Sequence, residues 1–243
     1  VADGADAMAT DRSLVNAWGL AFNPVGAAWV SSTDEGVSTV YDAEGNSLRA
    51  PVRIPEPDDD DDDGSPTGQV FNGDEEAFLG DSFVFVTEDG AVAGWQPGLG
   101  NRAEIRFDNS AADAVYTGVA IATPDDGDAR LFVADFRNAR IDVFDATYAP
   151  VTTGGFEDPD LPAGYAPFNV EAIEEQLVVT YAQQDDDGEE ATKGAGRGDV
   201  NLFDLEGNLL TRLISRAELN APWGVALAPE SFTAAPERLL IGN

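Results

Sequence analysis

Asn16-Ala17-Trp18-Gly19-Leu20-Ala21-Phe22 near one end of the chain has a twin near the other, Asn220-Ala221-Pro222-Trp223-Gly224-Val225-Ala226-Leu227. Weaker copies stand between them at Ser65 to Phe71, Val115 to Ile121 and Ala166 to Ile173. Aligning the copies on Gly19, Gly68, Gly118, Asn169 and Gly224 gives successive spacings of 49, 50, 51 and 55 residues. A sustained period of this size, carried by strand-like phrases, restricts the chain to an architecture of stacked repeats.

Within each period the same grammar returns. Ala28 to Ser32, Val37 to Asp42 and Val52 to Ile54 are short runs rich in β-branched and aromatic residues, bounded by Gly, Asn or Asp. The second period has Ser82 to Thr87, the turn Glu88-Asp89-Gly90, then Ala91 to Trp95 and Ala103 to Phe107. Asp-Gly between two such runs is a strong hairpin signal. Arg130 to Asp135 and Arg140 to Asp145 follow in the third, and Gln176 to Tyr181, Asp199 to Asp204 and Leu209 to Ile214 in the fourth. Residues 1 to 15 read as a leading arm. Four strands in about fifty residues, repeated and without a helix of three turns, predict an all-β fold: a β-propeller of four-stranded antiparallel blades rather than a sandwich.

The expected blades are 16–55, 66–108, 115–152, 166–215 and an incomplete 221–243, all in one domain spanning 1–243. About four and a half blades are therefore expected here. An open propeller leaves strand edges unpaired, so the reading expects the missing half blade to come from residues outside this chain, or the sequence to be a fragment.

These phrases carry a resemblance. The chain resembles an uncharacterised family of secreted bacterial propeller proteins, some with a cell-surface sorting tail. The match runs through Leu14 to Phe22, Pro66 to Gly73, Thr87 to Gly90 with Gly94-Trp95, and Asp108-Asn109-Ser110 with Val115 to Gly118. It continues through Ala134 to Arg137 with Ile141 to Asp145, then Asp158 to Asn169, and Asn220 to Gly224. The resemblance implies six blades when complete, an extracellular or cell-surface location, and no established activity. It departs at Asp58 to Asp63, where relatives carry a Gly-rich loop.

Chemistry is bounded by two zeros: the 243 residues contain no Cys and no His. Within them this excludes disulfides, thiolate-ligated zinc, thiol nucleophiles and imidazole mechanisms. The start shows no basic-then-apolar leader pattern, and no run approaches the length of a membrane span. Membrane insertion is not expected. The 46 acidic residues outweigh 13 basic ones, for a formal net charge of −33, and Lys193 is the single lysine. Such a field disfavours nucleic acid and anionic lipid as partners. A protein or cell-surface partner is the reading that remains.

Candidate site residues follow from fold analogy, because propeller ligands gather where loops enter the innermost strands. That singles out Asn16, Thr67, Thr117, Asn169 and Asn220. The bland alternative is that Asn and Thr close turns on nearby backbone. Trp18 and Trp223 stand beside these positions, where large aromatics serve packing at least as readily as a pocket. Asp59, Asp61 and Asp63, followed by Gly64, have the alternating spacing of a calcium loop. Val70 stands where such a loop needs its bidentate Glu, so a solvated loop competes with a Ca2+ site. The runs at Asp125 to Asp128 and Gln184 to Glu190 read the same way. The functional expectation is a non-enzymatic extracytoplasmic binding or cell-surface module. The alternative is a calcium-dependent gluconolactonase-like hydrolase, with Glu88, Asn169 and Asn220 available as ligands.

Self-repulsion at this charge weakens a compact state in dilute buffer, and salt shortens its reach to about 3 Å at 1 M. The melting temperature is therefore expected to rise between low and molar salt, measured by scanning calorimetry. A flat or falling profile would remove the reading that this acidity is an adaptation to a high-salt environment.

Overall fold

The computed structural model describes residues 7, 9–57, 62–125, 127–153, 155–216, 218–229, 231–232 and 238–243. Among these, the regular structure is antiparallel β-sheet with short 3-10 turns. The first sheet contains β1 (Ala17–Phe22), β2 (Ala28–Ser32), β3 (Val37–Tyr41) and β4 (Val52–Arg53) in that spatial order. The second contains β5 (Pro66–Phe71), β6 (Phe83–Thr87), β7 (Ala91–Trp95) and β8 (Glu104–Asp108). β9 (Tyr116–Ala122), β10 (Arg130–Asp135), β11 (Arg140–Asp145) and β12 (Pro150–Val151) form the third. The fourth has β13 (Tyr165–Ile173), β14 (Gln176–Gln183), β15 (Gly198–Asp204) and β16 (Leu209–Ser215). β17 (Val225–Leu227) and β18 (Leu239–Ile241) make a two-stranded fifth. Four of the five sheets thus have the four-stranded up-and-down order that the repeat predicts.

Two compact units are present, Val1–Val119 with Asp145–Ala149, and Ala120–Phe144 with Pro150–Asn243. In the first unit, Ala21, Trp29, Val40 and Ile54 of the first sheet and its flanks pack on Phe83, Phe85, Ala93 and Trp95 of the second. The Trp29 and Phe83 rings stack with centroids 4.0 Å apart. The second unit packs Phe132, Ile141 and Val143 against Val170, Leu177, Val179 and Phe203. Val178 and Val200 meet Val225, Leu239 and Ile241.

Several of the acids are turn-makers. The aligned runs of β3, β11 and β15 each reach an Asp, and that carboxylate accepts main-chain N–H groups two and four residues on. Asp42 takes Glu44 and Asn46, at 3.0 and 2.8 Å. Asp145 takes Thr147 and Ala149, and Asp204 takes Glu206 and Asn208. The side chain imitates a backbone turn and so fixes the step to the outer strand.

The repeated glycine has a steric cause. A Cβ on Gly68 would lie 2.9 Å from Gly118 Cα and 3.0 Å from Val119 N, and one on Gly19 would collide with the Thr67 carbonyl. β1, β5 and the start of β9 therefore approach at backbone distance, which a side chain forbids. Gly68→Ala should destabilise the chain by about 1–3 kcal/mol, because neither partner is a flexible side chain. Gly98→Ala, with open space around it, serves as the control in urea unfolding at molar salt. Equal midpoints for the two variants would disprove the close approach.

Candidate functional site

Of the five residues expected at the strand entrances, Asn16, Thr67 and Thr117 lie in the first unit and Asn169 and Asn220 in the second. In the first unit Asn16 is exposed and its amide donates to Asp34 Oδ1 at 3.0 Å, whereas Thr67 and Thr117 are buried. The Thr67 hydroxyl reaches the main-chain carbonyls of Tyr116 at 2.6 Å and Val86 at 3.2 Å. In the second unit the buried Asn169 amide donates to the Trp223 carbonyl at 2.8 Å. Asn220 Oδ1 accepts the Gly194 N–H. Thr67 and Asn169 thus bridge neighbouring sheets through backbone. Gln69 does the same and was not anticipated: its buried amide donates to the Gly19 and Trp29 carbonyls at 2.8 and 2.6 Å and accepts the Ser38 hydroxyl at 2.8 Å. A polar residue in an otherwise apolar inner-strand phrase was the available signal.

Of the calcium-loop residues, Asp59 and Asp61 lie outside the described residues. Asp63 accepts Arg53 Nε at 2.6 Å. In the other runs Asp126 is likewise outside the description, and Asp185 Oδ1 accepts the N–H groups of Glu189 and Glu190. Among the described residues no three His, Cys, Asp or Glu side chains are grouped to hold a metal ion.

Two buried polar networks were invisible in the sequence. Asp81, fully buried, accepts Arg106 through Nε and Nη2, both at 2.7 Å, and the Tyr148 hydroxyl at 2.8 Å. Desolvation first, and then the adjacent Asp81 charge, push the Tyr148 phenol well above its ordinary range. Removing one partner from a pair of this kind costs about 3–5 kcal/mol, since a buried charge is left alone. In the second unit Asp158 accepts Arg212 Nε at 2.7 Å and Asn201 Nδ2 at 2.9 Å. The Arg212 guanidinium is the main cause holding the Asp158 carboxyl down at about 2. Asp158 belongs to the phrase Asp158-Pro159-Asp160-Leu161-Pro162, so that phrase clamps a loop onto β15 and β16.

A cleft of about 430 Å³ lies on the first sheet. Leu14, Trp18, Leu20, Val30 and Tyr41 line it, with Asp42 and Glu44 at its border. Its volume and largely apolar lining suit recognition of an apolar surface.

Glu171 on β13 is the described carboxylate most displaced toward neutrality: burial pushes it from 4.5 up to about 7. Burial opposes its charged form, so stability is greatest below the ordinary value and falls as pH rises from 4.5 through about 7. Glu171→Gln should remove that loss, raising stability by about 1–3 kcal/mol above the folded pKa with little change in acid. Denaturant midpoints of both proteins across this range provide the check. Identical pH profiles would show that Glu171 ionises freely.

No protein-family profile matches the chain. An uncharacterised protein of Acanthamoeba polyphaga mimivirus is 31% identical over 252 residues, covering 96% of this chain and 60% of that protein. A second from the same virus is 27% identical, over 96% of this chain and 64% of the relative. The chain thus spans less than two thirds of the length of these relatives. Among solved structures, a Xanthomonas campestris gluconolactonase superposes with a TM-score of 0.59 at 16% identity, over 93% of this chain and 68% of that one. Virginiamycin B lyase from Staphylococcus aureus gives 0.55 at 12% identity, over 86% and 59%. Both are β-propeller enzymes, and at these identities the likeness is one of fold: the chain is an all-β protein of β-propeller type.

Proposed function

We propose that the chain is a binding module of β-propeller type, acting by non-covalent recognition of a protein or cell-surface partner in a salt-rich, extracytoplasmic medium. The observation that carries this reading is the use made of the polar positions ahead of the inner strands. Thr67 and Asn169 direct their donors at the carbonyls of Tyr116 and Trp223, so they hold sheets together. The sequence resemblance to secreted bacterial propellers supports the location, and six blades in the complete protein belong to the same proposal.

A second reading, a calcium-dependent lactone hydrolase, draws on the fold likeness to the gluconolactonase. Calorimetric titration with millimolar Ca2+ and a gluconolactone hydrolysis assay, both in molar salt, separate the two. The binding module predicts no saturable calcium heat and no turnover above buffer. It also predicts saturable association of the labelled chain with cells of the source organism. Asn169→Ala is then expected to cost about 1–2 kcal/mol of stability through its lost hydrogen bond, with no activity to lose. Stoichiometric calcium binding with lactone turnover that Asn169→Ala abolishes would replace the binding reading by the hydrolase.

A further inference from the structure

Three buried oxygen atoms on one face of the fourth sheet have no hydrogen-bond partner among the described residues: the Tyr181 hydroxyl, Asp199 Oδ2 and Asn201 Oδ1. Their residues are 1%, 5% and 1% exposed. Register explains why they share a place. Tyr181 on β14 pairs directly with Asp199 on β15, and Val179 with Asn201. Directly paired residues share a face, as do residues two apart on one strand. Tyr181, Asp199 and Asn201 therefore stand together, with Asn201 on the diagonal that an aromatic side chain spans. The Tyr181 ring belongs to the apolar core with Val179 and Phe203, so its hydroxyl marks where that core ends and the polar group begins. Burial is the first cause raising the Tyr181 phenol well above its ordinary range. Asn201 is near enough to oppose that rise, and the Asp158 and Asp199 charges add to it.

The donors around this group are already committed. Asn201 Nδ2 donates to Asp158 Oδ2 at 2.9 Å, which leaves Oδ1 as the free end of the amide. Arg212 holds Asp158 through Nε at 2.7 Å and Asp160 through Nη2 at 2.9 Å. Ser215 on β16 steadies the Asp199 carboxyl, yet Oδ2 stays without a partner. Arg216, whose charge reaches Asp199, is itself exposed. No ion pair holds Asp199 among the described residues. The inventory does not balance: a carboxylate oxygen and an amide oxygen only accept, and the single phenol proton can serve one of them. A buried carboxylate without a compensating charge is a state that proteins avoid by pairing it or by coordinating a metal ion.

We propose that Tyr181 Oη, Asp199 Oδ2 and Asn201 Oδ1 form a binding site for one alkali-metal cation, Na+ or K+, between the core of the second unit and the loop that Asp158 clamps. One carboxylate supplies the single negative charge that a monovalent ion needs, and the phenol and amide supply neutral oxygens. Divalent ions fit this set less well, since calcium takes about 6–8 oxygen ligands and magnesium demands an octahedral shell. The ion ties β14 to the loop through Asn201, whose other end holds Asp158. None of the three residues is a strand-entrance candidate, so the site stands whether or not the binding reading does.

Rubidium replaces K+ and scatters X-rays anomalously. Crystals of the protein grown in molar RbCl should show an Rb+ peak in contact with the three oxygens, absent in Asp199→Asn. In solution, melting in molar KCl is compared with melting in tetramethylammonium chloride of the same concentration, which screens equally but is too large for the site. Selective occupancy should raise the wild-type melting temperature by about 2–4 °C in KCl, and Asp199→Asn should lose most of that excess. Tyr181→Phe removes only the hydroxyl and leaves the ring in the core. It should lose part of the excess, and it decides the matter if Asp199→Asn does not fold. A water at this position, without anomalous signal, would overturn the proposal, as would a KCl excess that survives intact in the variants. Displacement of Rb+ by millimolar Ca2+ would overturn the assignment to a monovalent ion.

Discussion

Backbone-to-backbone approach of neighbouring inner strands is the constraint on which the first unit depends. Gly19 and Gly68 leave no room for a Cβ against the next strand, so β1, β5 and the start of β9 come as near as main chains can. At that separation, main-chain carbonyls of one sheet are reached by side chains of its neighbour. Gln69 takes two of them and Thr67 a third. Buried polar groups without partners are costly, so the same glycines that permit the approach also require the amide and hydroxyl beside them. Where Asn169 stands in place of the glycine, its own amide makes the bridge to the Trp223 carbonyl.

Charge is arranged around this apolar frame in two ways. Exposed carboxylates at strand ends, such as Asp42, Asp145 and Asp204, face main-chain N–H groups and build turns at little desolvation cost. Two others are matched with arginine: Asp81 with Arg106, and Asp158 with Arg212. A chain of net charge −33 thus places several of its scarce cations where an unpaired carboxylate would cost most. The remaining acids face solvent, where screening decides how strongly they repel.

The strands were legible because their pattern is local. β2, β3, β7 and β11 fall on runs of β-branched and aromatic residues bounded by turn formers, and the Glu88-Asp89-Gly90 turn joins β6 to β7 as its composition predicts. The outer strands vary in length, from two residues in β4 and β12 to five in β8 and seven in β16. The networks were illegible for the opposite reason. Arg106 and Tyr148 stand 25 and 67 positions from Asp81, and Arg212 stands 54 from Asp158. In a chain so rich in acid, nothing in composition marks which carboxylate will be buried.

By itself the sequence determined the period, the all-β grammar, the absence of thiol and imidazole chemistry, and the charge. These are properties of residue type and spacing, which the chain carries whatever its fold. Tertiary structure decided what the repeated polar positions are for. Thr67 and Asn169 look like ligand donors in one dimension, and become inter-sheet bridges once a neighbouring carbonyl lies within hydrogen-bond reach. It also decided that the Trp-Gly phrase places a small residue at a strand contact and leaves Leu20 and Phe22 on an open face. Which side of a strand is covered depends on a second sheet, and no pattern within the strand can state it.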